Sequence, residues 1–252
     1  MGWFGRRRDG AGPRGNGPDP SSVAYFAAHW PGGGTLGEGG QDVGAPAHWR
    51  RLVFAASPAE RVAAWRAEFG QAWRQRLPQS WAVVEQTLTD VALAELSGSP
   101  CLIGRLETDN GVEFLVAAAP VEPAAAQAQL AARGVSWQDV PDSVRHWYEK
   151  VHGALWLGAF MPILRSLPEV ENLAEYATLP PADYPDFAAC YVFSERGNGD
   201  PVVLRLSAPG AGQAYLWGHD SSGPQGPQLT VVDFWSAIDW HLAAELGGSE
   251  LT

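Results

Sequence analysis

Lysine is almost absent: Lys150 stands alone against sixteen arginines. Charge of any kind is sparse, at 18% Asp, Glu, Lys and Arg, and it leans acidic, with a formal net charge of −11. A protein that grips nucleic acid needs a basic footprint to neutralise phosphates, so nucleic acid is not expected as a direct partner. No Gly-Lys pair occurs, which removes a Walker A phosphate loop. Cysteine is scarce as well. Cys101 and Cys190 each lie in an apolar, strand-like run and read as buried thiols, since two of them make neither a disulfide framework nor a metal cluster. No apolar run approaches the roughly 20 residues of a membrane span. The opening MGWFGRRRDG has basic residues but not the apolar stretch of a secretory signal, and Arg6 stands where myristoylation wants Ser or Thr. The expected location is the cytoplasm, without a membrane partner.

Familiar catalytic signatures are missing too. There is no GxSxG elbow, no HExxH and no CxxC. His146 and His152, six apart, point to different faces of a helix and make a poor metal pair. His219-Asp220-Ser221 are adjacent along the chain, so they cannot orient one another as a relay requires. Gly32 to Gly37 matches GxGxxG, but Trp30-Pro31 precedes it and more glycines follow, so it reads as linker. Three acidic pairs are candidates for acid/base work: Glu169 with Glu171, Asp183 with Asp186, and Glu195 with Asp200. Caps, turns and solvated charge account for them as well. Neither an enzyme nor a cofactor is expected.

What is present is apolar and aromatic. Hydrophobic residues make up 46% of the 252, with twelve tryptophans, so the chain can bury a large core. The acidity is unevenly placed. Residues 1 to 133 carry 13 acidic and 12 basic side chains, whereas 134 to 252 carry 15 and 5, a net of −10. Residues 1–48, rich in Gly, Pro and Arg, read as a disordered or loosely docked arm in which Val23 to Phe26 and Trp30 form an apolar island able to dock on the domain.

A unit of mixed α and β is expected over 57–133. Ser57-Pro58 with Glu60 forms a capping-box start to a helix whose apolar face carries Val62, Trp65, Phe69 and Trp73. Alternation from Val83 through Leu93 suggests a strand, interrupted near Asp90. Asn110-Gly111 between β-rich runs signals a hairpin, and Pro123 to Arg133 a helix closed by Gly134. Further on, Val144, Trp147, Tyr148 and Val151 fall on one helical stripe. The run from Leu155 to Leu164 reads as a strand or inward-leading turn, and Leu167 to Tyr176 contains a short helix. Tyr191 to Asp220 reads as three strands, the first two joined by a Gly-Asn-Gly-Asp-Pro turn. Val202, Leu204 and Leu206 share one face there, with Val203 and Arg205 opposite. Asp233 caps a final helix with Phe234, Ile238, Leu242 and Leu246 facing inward.

The order VPDSVRHWYEKVHG, SLPEVENL, YVFSERGNGDPVVLRL, AYLWGHD and DFWSAIDWHL over 137–246 resembles the SUKH superfamily, also called SMI1/KNR4. The resemblance implies an α+β fold, a mostly antiparallel sheet with helices packed on it, preceded here by the additional α+β segment. Many bacterial members resemble immunity proteins that bind and block a cognate toxin, often a nuclease; others are intracellular regulatory interaction scaffolds. The acidic half suits a basic toxin partner. Candidate contacts are Asp183, Asp186, Glu195, Asp200 and Asp220, with Tyr215 and Trp217 as aromatic anchors.

Overall fold

The computed structural model describes residues 21–37, 44–53, 57–179, 186–196, 199–207, 209–218 and 228–247. In chain order the elements are α1 (Val23–Ala28), β1 (Gly34–Leu36), α2 (Ala47–Val53), α3 (Pro58–Arg76), α4 (Pro78–Thr87), β2 (Leu88–Leu96), β3 (Ser99–Thr108) and β4 (Gly111–Ala118). Then come α5 (Pro123–Ala131), α6 (Asp142–Lys150), β5 (Ala154–Leu157), β6 (Met161–Leu164), β7 (Glu171–Asn172), α7 (Leu173–Tyr176), β8 (Cys190–Glu195), β9 (Pro201–Arg205), β10 (Ala214–Gly218), β11 (Gln228–Val232) and α8 (Phe234–Glu245).

The strands form two antiparallel sheets with helices packed on them, a mixed α+β fold. One sheet runs β1-β2-β3-β4-β5-β6 and the other β11-β10-β9-β8-β7. They meet where β6 ends: the Arg165 amide donates to the Phe193 carbonyl of β8 at 2.8 Å. The hairpin around residue 110 thus belongs to one sheet and the hairpin around Gly199 to the other. β4 pairs with β5 from Leu115↔Leu157 to Ala118↔Ala154, so the first sheet runs across the 133–137 boundary expected between two units. Gly153 permits this junction, because a Cβ there would lie 2.3 Å from the Ala119 carbonyl oxygen.

One core cluster extends from Ala45 to Leu246. At its centre three tryptophans, Trp49, Trp73 and Trp147, gather with Phe69 around fully buried His152, and Trp65 packs on Phe69 and Trp73. The Trp73 indole N–H donates to His152 Nε2 at 3.3 Å. The second sheet separates two clusters. Phe193, Val202, Leu204 and Leu206 face the main core under α8, while Val192, Val203, Cys190 and Trp217 face α7. The expected alternation in these strands holds, and both cysteines are buried free thiols.

The capping box of α3, the Asp233 cap of α8 and the stripe of α6 are as the sequence indicates. Two expectations are corrected. The strand expected from Val83 is helical through Thr87: Pro78 opens α4, and Ser80, Trp81 and Val84 are buried on one helical face before β2 begins. The apolar island of the arm docks on the domain: α1 stacks Phe26 on Phe114, with ring centroids 4.3 Å apart. The glycine run expected as linker includes β1, which pairs Gly34↔Leu96 through Leu36↔Ala94. The hairpin loop is Asp109-Asn110, with Gly111 opening β4 at φ +121°. The apolar run from 155 is a short hairpin, β5 paired with β6. No helix among the described residues is long and apolar enough to cross a membrane.

Candidate partner-binding cleft

Arg165 follows directly on β6, at the seam between the sheets. Its neighbours on the preceding run, Ile163 and Leu164, are fully buried, and they draw the guanidinium in after them. Nη1 donates to the Glu169 carbonyl at 2.8 Å and to Glu171 Oε1 at 2.6 Å, while Nη2 pairs with Glu195. The same guanidinium lies over the Tyr176 ring, 5.3 Å from its centroid. One buried cation is therefore held by two carboxylates, a carbonyl and an aromatic face, as burial of a guanidinium requires. Glu169 closes a capping box with Ser166, accepting from its hydroxyl at 2.7 Å.

Arg165, Glu169, Glu171 and Glu195 floor an open cleft of about 510 Å³. Its walls are apolar: Pro31, Trp156, Ala159, Phe160 and Pro162, with Arg133 at the rim. Trp156 is held edge-on by Trp30 of the docked arm at 6.0 Å. Phe160 sits in the β5–β6 turn and is 86% exposed, the largest exposure among the bulky apolar side chains described. Three glutamates face two arginines, so the cleft carries a negative balance beside a bare aromatic ring.

Burial raises the pKa of Tyr176; Glu171 and Asp200 push the same way and Arg165 opposes them, so its phenol stays protonated near neutrality. Tyr148, whose hydroxyl donates to the Arg165 carbonyl at 2.5 Å, is likewise held well above its ordinary value, mainly by burial. Of the acidic residues weighed for acid/base work, Glu169 caps, and Glu171 and Glu195 share Arg165. Among the described residues no group of three His, Cys, Asp or Glu side chains is placed to hold a metal ion. The arrangement is suited to receiving a cationic side chain against carboxylates and an aromatic wall.

The structure scatters the contacts expected from sequence. Glu195 lies in the cleft. Asp186 precedes the short turn Phe187–Ala189 and pairs with Arg205 at 2.9 Å. Asp200 is half-buried just before β9. The Tyr215 hydroxyl donates to Gln213 Oε1 at 2.7 Å, on the α7 side of β10. Trp217, only 8% exposed, packs edge-on against Tyr176 and Phe187, so it is a core residue rather than a presented anchor. Asp183 and Asp220 lie outside the described residues. Sequence reading passes over Phe160 and Arg165, although each leaves a trace. Phe160 is a bulky ring in the turn after Gly158-Ala159, and Arg165 is the one Asp, Glu, Lys or Arg between 151 and 168.

Comparison with family models, with curated proteins and with solved structures gives no match to this chain.

Proposed function

We propose that this chain is a binding protein of the SMI1/KNR4 kind, which neutralises a cognate basic toxin domain by direct contact. On this reading the cleft at the sheet seam receives a cationic segment of that partner. The observation that carries it is the bare Phe160 ring beside a glutamate-rich floor, on the half of the chain whose net charge is −10. Further support comes from the order of elements over 137–246: a helix, an apolar hairpin, a Leu-Pro turn, the β8–β9 hairpin, β10 and the terminal helix. An aromatic anchor in a partly apolar pocket with a charged rim is the usual composition of a binding hot spot. The acidic field steers a basic partner into encounter, and a nuclease, which carries positive charge to hold phosphates, is the class it complements best.

The test is co-production of the full chain with toxin domains encoded beside its gene, scored by growth and by co-purification. A stable complex that weakens with salt is expected. Phe160→Ala, at a largely exposed position, is expected to raise Kd at least about tenfold without changing the circular dichroism. Neither growth rescue nor complex with any such domain sinks the toxin reading and leaves the regulatory scaffold.

A further inference from the structure

A second surface lies at the opposite end of the five-stranded sheet from the cleft. There β11 is the edge strand, bonded to β10 from Ala214↔Val232 to Gly218↔Gln228 and, among the described residues, to no strand beyond. Edge strands invite foreign pairing, and proteins ordinarily blunt them with charge, proline or a bulge. β11 uses none of these: its five residues are Gln-Leu-Thr-Val-Val, and its register with β10 is unbroken. Val231 is 59% exposed and Thr230 is also exposed. Beside the edge, on the α8 face, Val202, Leu216, Val232 and Trp240 line an apolar groove of about 440 Å³. Trp240, 42% exposed, is covered on one side by the Arg196 guanidinium, 4.1 Å from the ring centroid.

We propose that β11 is a self-association edge, joining two copies of this chain into one continuous antiparallel sheet. The occupant follows from complementarity. A chain of net charge −11 can meet itself closely only through uncharged surface, and β11 supplies it. Antiparallel self-pairing about a twofold axis at Thr230 sets Thr230 against its own copy and Leu229 against Val231 of the second copy, twice over. The central pairings are apolar or hydroxyl to hydroxyl, the combinations that stabilise neighbouring strands, and the outermost sets Gln228 against Val232. Leu229 and Val231 lie on the α7 face with Trp217 and Tyr215, so the join extends an existing apolar layer. A perpendicular twofold keeps like faces together, which places the two Trp240 grooves on the same side, flanking the junction. A basic partner has no charged group on β11 to address, so this edge is distinct from the cleft and does not depend on its reading.

The test is sedimentation velocity of the full chain over a concentration series reaching the high micromolar range. A monomer–dimer equilibrium is expected. Thr230→Lys and Thr230→Glu, each placing like charges directly opposite, are expected to weaken it by roughly a hundredfold, and an equimolar mixture of the two to restore a species of two chains. Val231→Lys serves as a second disrupting variant should a Thr230 variant fail to fold, with native dichroism as the check. A monomer at every concentration overturns the proposal, as does a dimer that survives both Thr230→Lys and Val231→Lys. Dimers of Thr230→Lys that require an added acidic protein would mark the edge as a site for a different partner and also overturn it.

Discussion

His152 shows how far burial can move a single side chain. Its ring is enclosed by Trp49, Phe69, Trp73 and Trp147, and burial, with His48 adding, lowers its pKa from 6.5 to about 3. Buried His241 falls to about 4 for the same reason, with Arg196 adding. Both bind a proton more readily in the unfolded chain than in the folded one. Stability is therefore complete above pH 6.5 and is lost as pH falls toward 4, at about 1.4 kcal/mol per unit for each histidine. Urea melts at pH 7.5 and 5.0 should show this loss, and His152→Gln, which keeps an acceptor for the Trp73 indole, should remove about half of the slope. The same enclosure explains what sequence reading gets wrong at this scale. Trp217 and Phe160 are both aromatic and both near turns; only packing tells that the first is buried under Tyr176 and the second bare.

At the scale of elements, α4 is the instructive case. Its sequence offers no side-chain cap of its own, since Leu77 occupies the capping position. The cap comes from α8 instead: Asp239, almost fully buried, accepts from the Gln79 amide at 2.9 Å, the Ser80 amide at 2.8 Å and the Ser80 hydroxyl at 2.7 Å. A carboxylate at a helix N-terminus meets both free amides and the positive end of the helix dipole. Asp239→Ala leaves the Gln79 and Ser80 amides without an acceptor, while the Ser80 hydroxyl keeps the Asp239 carbonyl at 3.0 Å, and should cost on the order of 3 kcal/mol in chemical denaturation. This tertiary cap also explains why 83–93 reads as a strand in isolation: its alternation is real, but the group that nucleates the helix lies far along the chain. By contrast α3, α6 and α8 carry their caps or stripes locally and are legible residue by residue. The cleft is only partly so, because Glu195, Glu171 and Arg165 come from three separate elements and meet only once the two sheets join.

For the whole molecule, the shared core decides how the chain behaves under stress. Trp147 of α6 packs against Trp73 of α3 at 5.9 Å, and β5 and β6 extend a sheet begun by β1 to β4. Unfolding should therefore be a single transition in which near- and far-ultraviolet dichroism coincide. A fragment of residues 137–246 should lack fixed near-ultraviolet dichroism, since it strips Trp147 and Leu155 of their cover and leaves β5 as a bare edge. A fragment that folds by itself would show instead that the second half is an independent unit.

The Asp239 cap has a further consequence during synthesis. Gln79 and Asp239 are 160 positions apart, so at translation rates of about 5 to 20 residues per second α4 emerges roughly 8 to 30 s before the group that completes it. Through that interval Trp73 and Trp81 have no finished core to enter. A nascent chain of this kind is a natural client for chaperones that hold exposed aromatic segments, and its release should coincide with the arrival of α8.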